Sequence, residues 1–259
     1  MRVYVEAVGV LAPGLQDWEA TKAVLARVRP FNVTAPTRVE PTSLPPAERR
    51  RSSPSVRLAI AAAEQAVQRT SLAPHAMAMV FSSCEASGVI THQLCEVLAG
   101  SREVSPTQFH NSVHNAPSGY YSIAMNAKRA ASSVCRGQWS FAAGLLNAAV
   151  QATSDQGPVL YVCYDSPLPA PLCDFMPIVE DTAIALVLTP APSPTSMAPW
   201  EIALAPRDAD TPWPDWMPAT WHANASARGF AALTTLVEPA TRLATLPLSP
   251  DLNLRVSRC

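Results

Sequence analysis

Two histidines and a cysteine are the first residues of this chain whose types and spacing could do chemistry. His110 and His114 stand four apart, which on a continuous helix places both imidazoles on one face. A metal could use such a pair, but a zinc site needs a third and a fourth ligand, and no His-Glu-x-x-His is present. Cys135 precedes Arg136-Gly137-Gln138, which reads as a tight turn before a long apolar run. A thiolate there could act as a nucleophile, with His110 or His114 as base. The other histidines are 75, 92 and 222, and the other cysteines are 84, 95, 163, 173 and 259. No C-x-x-C pair or zinc spacing links the cysteines, so they are expected to be reduced and mostly buried. No metal or other cofactor is expected.

These groups need a frame. Residues 3–10 alternate apolar and mixed side chains up to Pro13-Gly14 and predict a strand. A helix over about 17–27 follows, then an irregular stretch rich in Pro and Thr over 30–46. Ser53-Pro54 is a helix start, with a hydroxyl at the cap and proline at the first position. Val56, Ile60, Ala63 and Val67 then recur at helical spacing, which assigns Arg57, Glu64 and Gln68 to the opposite face. Further strands are predicted at 76–82, 131–135, 158–164 and 182–188, and further helices at 89–98, 116–126 and 140–153. The last of these has no polar side chain from Phe141 to Leu146 and carries the small residues Ala142, Ala143, Gly144, Ala148 and Ala149. A helix apolar on nearly every side is buried on nearly every side. Strands alternating with helices predict α/β layering.

Beyond residue 190 the character changes. Trp200, Trp213, Trp216 and Trp221 are spread through Pro-rich, loop-like sequence, with a short helix expected at 239–246 and a strand at 252–256. The division expected is a domain over 1–189 and an extension over 190–259. The extension either wraps the same core or serves as a lid or partner-binding segment. No internal repeat is present.

Composition excludes several classes. The 259 residues carry 19 Lys+Arg and 20 Asp+Glu, a formal charge of −1; 15% are charged and 48% apolar. Such a chain is core-rich and not disordered. It lacks the positive surface of a nucleic-acid binder, its one basic run being Arg49-Arg50-Arg51. The 26 prolines are roughly twice the usual share and the 9 glycines about half of theirs. No stretch approaches the roughly 20 apolar residues of a membrane span, and no basic region leads into an apolar one at the N-terminus. A cytoplasmic location is expected.

Three stretches in this order carry a resemblance. One is Leu44-Pro-Pro-Ala-Glu-Arg-Arg-Arg51 with the helix after it. The second is Ser105-Pro-Thr-Gln-Phe-His-Asn-Ser-Val-His-Asn-Ala-Pro-Ser-Gly-Tyr-Tyr-Ser-Ile-Ala124. The third is Ser132-Ser-Val-Cys-Arg-Gly-Gln-Trp-Ser-Phe-Ala-Ala-Gly144. From about 3 to 188 the chain resembles the N-terminal half of the β-ketoacyl synthases. That resemblance implies an α/β, thiolase-like fold: half of a ketosynthase, layered αβα around a mixed sheet. In the family such central helices lie between two sheets, so half a fold would leave an apolar face for the extension or a second protein to cover.

The departures from the family decide the implied function. Catalytic ketosynthases, which this chain otherwise resembles, hold a cysteine at the elbow itself. They add two histidines from a C-terminal half, in His-Gly-Thr-like and Gly-Phe-Gly-Gly-like contexts that occur nowhere here. Counting back from Ser140, the elbow falls at Gly137 or Gln138, which leaves Cys135 in the strand. Chain-length factors, the inactive partners of some bacterial ketosynthases, are similar in carrying Gln in place of the cysteine, and Gln cannot form a thioester. The resemblance thus implies a truncated chain-length factor of the aryl-polyene or xanthomonadin type. Such a subunit forms a heterodimer with a catalytic ketosynthase and handles a chain borne on an acyl carrier protein. Phe109, His114, Tyr120, Tyr121 and Met125 fall where the family shapes its acyl tunnel, or else are plain core and interface. Two rival expectations stand beside this one: an active acyltransferase or condensing enzyme using Cys135, and a scaffold that stabilises the ketosynthase without touching the acyl chain.

Overall fold

The first strand, β1 (Arg2–Leu11), is built for the middle of a sheet. Val3, Val5, Ala7, Val8 and Val10 are all fully buried, as a strand covered on both faces requires. The computed structural model, which describes residues 1–33 and 40–259, places β1 between two antiparallel neighbours. Part of the irregular stretch expected over 30–46 lies outside the described residues.

Eight strands form one mixed sheet in the order β3-β2-β4-β5-β1-β6-β8-β7. The strands are β2 (Ala78–Ser82), β3 (Ala131–Val134), β4 (Val159–Asp165), β5 (Thr182–Thr189), β6 (Pro199–Pro206), β7 (Leu243–Pro247) and β8 (Leu252–Arg258). β2 runs parallel to both β3 and β4, and every other pairing is antiparallel. Alternate residues of each strand feed two cores. On one face Ala7, Met79, Phe81, Leu160 and Ala185 meet α3 (Pro54–Val67) and α6 (Ala116–Ala124). On the other, Val8, Val80, Tyr161 and Ile184 meet α7 (Ser140–Ser154), while Trp200, Ile202 and Val256 meet α9 (Gly229–Val237). The result is the expected αβα layering.

The helices owe their positions to local signals. Asp17 caps α1 (Trp18–Leu25) by accepting from Ala20 N at 2.8 Å, and Ser53 caps α3 by accepting from Val56 N. α7 is buried as its composition requires. A Cβ on Gly144 would fall 2.5 Å from the Tyr161 ring, so only glycine lets helix and strand approach this closely. Glu64 departs from its assigned outer face. Residues 41–44 fold over α3, and the Glu64 carboxylate accepts from Thr42 N (2.9 Å) and Ser43 N (2.7 Å), so the charge is buried but satisfied.

Residues 190–259 supply three strands of the same sheet, and β6 pairs directly with β1. The helix expected at 239–246 is not formed. α9 ends at Val237 and Leu243–Pro247 is β7, because hairpin pairing with β8 overrides a locally helix-like pattern. Phe141 of α7 abuts the start of α9, where a Cβ on Gly229 would fall 2.4 Å from its ring. Trp216, Trp221 and Phe230 pack edge-on and stacked beside it. This segment therefore packs against the N-terminal end of α7. None of the helices among the described residues is long and apolar enough to cross a membrane.

Candidate functional site

The site begins where β2, β3 and β4 end side by side. After β3 come Cys135, Arg136 and Gly137, whose φ of +57° turns the chain into α7. Ser140, fully buried, locks this elbow. Its Oγ accepts from Arg136 N at 2.8 Å and shares its proton between Ser83 O (2.8 Å) and Gly137 O (2.7 Å). Gln138 stands exposed on the outside of the turn.

Cys135 lies before the elbow, as its spacing from Ser140 implies. Part of the residue is exposed, but Sγ turns inward and donates to Cys84 O at 3.1 Å. Desolvation pushes its pKa up; the Gly137 backbone N–H opposes this, and the charges of Glu85 and Asp165 reinforce it. A nucleophilic cysteine needs the opposite, a positive surrounding that holds the thiolate. Neighbouring Cys84 is buried, its thiol also pushed up, mainly by burial, and Sγ lies 3.2 Å from Met176 Sδ.

Asp165, at the end of β4, is the buried acid beneath the elbow. One oxygen accepts from Cys84 N (2.7 Å), the other from Ser226 N and Ser226 Oγ (2.7 Å each). Burial raises its pKa to about 6, against the lowering effect of these donors. The carboxylate thereby pins the loop after β2 to the 3-10 turn Ser226–Arg228 of the C-terminal segment. A lone Asp in an apolar strand was the sequence signal for this pin, and sequence reasoning missed it.

The two histidines do not share a helix face. α5 (Pro106–Ser112) ends before His114 and α6 begins at Ala116, so the joint between them separates the two rings. His110 lies edge-on to Tyr120 at 5.6 Å. His114 Nε2 is buried without a hydrogen-bond partner, and burial lowers its pKa. Cys135 Sγ has Cys84 O, not an imidazole, as its hydrogen-bond partner. Among the described residues, no three His, Cys, Asp or Glu side chains gather to hold a metal.

The residues expected near an acyl tunnel divide by burial. Tyr121 is 1% exposed and packs on Phe81 at 5.9 Å; Tyr120 is buried, and Met125 packs against the same core. Phe109 instead projects from α5, 63% exposed. Sequence reasoning missed Ile123 of α6, 81% exposed, and Val113 in the joint, also exposed. α6 lies against β2 and the edge strand β3, and α5 lies against α6. Met79 N donates to Ala130 O and Ser83 N to Val134 O. In a parallel ladder that alternation leaves the N–H and C=O of Ala131 and Ser133 pointing away from β2.

Comparison with known proteins places this architecture. The family model described as "Beta-ketoacyl synthase, N-terminal domain" matches residues 17–245. A search of curated proteins found no match. Among solved structures, a chain from the complex of a ketosynthase (ApeO) with its chain length factor (ApeC) from Xenorhabdus doucetiae superposes with a TM-score of 0.76. Identity is 22%, and 100% of each chain is covered. A chain of the ishigamide ketosynthase/chain length factor gives a TM-score of 0.71 at 11% identity, over 100% of this chain and 99% of that one. Ketosynthase twelve of the bacillaene polyketide synthase of Bacillus amyloliquefaciens gives 0.60 at 12% identity. There the match takes 81% of this chain but 46% of that one. The fold is the thiolase-like half of a ketosynthase.

Proposed function

This chain belongs to the β-ketoacyl synthase N-terminal-domain family, and from that premise we propose that it is a non-condensing, chain-length-factor-like subunit. It pairs with a catalytic β-ketoacyl-ACP synthase and shapes the tunnel into which the acyl chain grows. The product class proposed is a polyene of the aryl-polyene type, built on an acyl carrier protein.

The observation that carries this reading is the elbow. The exposed residue before the buried helix α7 is Gln138, which forms no thioester, and the nearby Cys135 is held as a thiol with its pKa raised. Condensation needs a thiolate and donors for the enolate formed on decarboxylation. Cys135 Sγ donates to Cys84 O rather than to an imidazole; His110 packs on Tyr120, and His114 Nε2 is buried without a hydrogen-bond partner.

Intact-mass measurement after incubation with acyl-carrier-protein thioesters, with and without a co-expressed ketosynthase, tests this. An adduct on the ketosynthase alone, with the two chains co-purifying, is expected. An adduct on this chain that disappears in Cys135→Ala would make it an enzyme. The burial of Tyr120 and Tyr121 favours the scaffold reading over a tunnel lined by those rings, so the tunnel claim rests on Phe109 and Ile123. Shrinking either is expected to change product length in a reconstituted pair. A change in complex yield without a change in length would leave only the scaffold.

A further inference from the structure

A cavity of about 530 Å³ opens between the end of α1, α9 and the loop 211–216. That is the size of a small-molecule site. Its apolar lining comes from Val24 and Leu25 of α1, Ala231 of α9, and the rings of Phe31 and Trp216. The aromatic wall is fixed from behind. Phe31 packs on Trp216 with ring centres 5.1 Å apart, and Trp216 stands edge-on to the buried rings of Trp221 (6.2 Å) and Phe230 (5.4 Å). The loop is fixed as well. Thr211 is bonded to Thr245 of β7 in both directions, and Pro212 and Pro214 stiffen the chain after it. A wall held this way loses little freedom when a ligand arrives.

Four charged side chains also line the cavity, and they are of two kinds: Arg27 and Glu238, and Arg29 and Asp215. Glu238 accepts from Arg27 Nε at 3.3 Å and from Thr241 Oγ at 2.8 Å, so the first two charges answer each other. Arg29 and Asp215 are both exposed, and neither belongs to an ion pair among the described residues. Arg29 is brought to the cavity by the turn that ends α1. Arg27 takes a φ of +57°, and Val28 N and Arg29 N both donate to Ala23 O, at 3.0 and 3.1 Å. One cavity thus offers a free cation, a free anion and an aromatic wall. A wholly apolar guest would leave both charges unused, and a guest of one charge would leave one of them.

The geometry points to a site for a free α-amino acid with an aromatic side chain. The ring lies against Trp216 and Phe31, the carboxylate takes the Arg29 guanidinium, and the ammonium takes Asp215. The inference goes beyond the proposed function and does not rest on it, because none of the elbow residues 135–140 lines this cavity.

Isothermal titration calorimetry of the full chain tests it with three probes: L-phenylalanine, N-acetyl-L-phenylalanine, which keeps only the carboxylate charge, and L-phenylalaninamide, which keeps only the ammonium. L-Phenylalanine is expected to bind at one site, about fivefold more tightly than either analogue. Arg29→Gln is expected to weaken L-phenylalanine and the N-acetyl form about fivefold and to leave the amide unchanged. Asp215→Asn is expected to weaken L-phenylalanine and the amide and to leave the N-acetyl form unchanged. Both side chains are exposed, so neither substitution should disturb folding, and urea unfolding of each variant checks this. No binding of L-phenylalanine at millimolar concentration overturns the inference. So does equal affinity for all three probes in the wild-type chain, or binding that neither variant alters.

Discussion

The sheet has two edges, and they are finished differently. At β7, Thr211 N donates to Thr245 O at 2.8 Å and Thr211 Oγ accepts from Thr245 N at 2.7 Å, so a loop side chain and backbone close the ladder. Behind that edge Trp216, Trp221 and Phe230 interlock with Phe31. At β3 the outward groups of Ala131 and Ser133 stay open, and Ile123 of α6, the helix that lies against β3, faces solvent. One edge is closed and the other is left bare, and the proposed pairing would use the bare one.

The largest expected contrast comes from trimming one side chain at each end. Trp221→Ala empties a packed cluster and should cost about 3–5 kcal/mol in urea unfolding. Ile123→Ala should stay within about 0.5 kcal/mol in the chain alone. Equal losses would break the contrast between the ends.

Asp165, which ties the two halves together, gives a pH signature. Its folded pKa of about 6 exceeds the ordinary 3.8, so the folded state binds the proton more tightly. Its contribution to stability therefore grows as pH falls from about 6 to about 4 and is flat above that window. The shift corresponds to about 3 kcal/mol. The stability difference between wild type and Asp165→Asn should move by up to that amount in favour of wild type across the window. A difference that stays constant with pH would mean the carboxyl is not strained by burial.

Proline separates the edges again. Thr245→Pro deletes the N–H that Thr211 accepts and should cost about 1–3 kcal/mol. Ser133→Pro deletes an N–H that points away from β2, so unfolding should shift by about 1 kcal/mol or less while co-purification with the ketosynthase is lost. Retained co-purification would show that pairing does not use this edge. Smallest of all, Cys135→Ser should change stability by less than about 0.5 kcal/mol and leave pathway output intact.

Much of this was legible in the sequence where the cause is local. Asp17 and Ser53-Pro54 announce their helices, and the all-apolar run of α7 announces its burial. Ser105-Pro106 repeats the Ser53-Pro54 signal, and its Oγ accepts from Gln108 N at the start of α5, so that helix was there to be read. What stayed hidden depends on distant pairing. β6 and β7 are strands because β1 and β8 lie beside them, and Glu64 is buried because residues 41–44 cross over it. On α6, Tyr121 and Ile123 are both apolar and two apart, and nothing local says which faces the core. The turn before α7 was legible in Arg136-Gly137-Gln138, but the Asp165 pin joins residues far apart in the chain.

The central place of β1 has a consequence during synthesis. Its neighbours are β5 and β6, which begin at Thr182 and Pro199. A ribosome adding roughly 5–20 residues each second leaves this strand unpartnered for on the order of tens of seconds. A nascent chain holding so apolar a segment without its neighbours is exposed to misassembly. Expression should therefore respond to chaperone supply, and slowing translation within β1–β5 should lower the yield of folded protein.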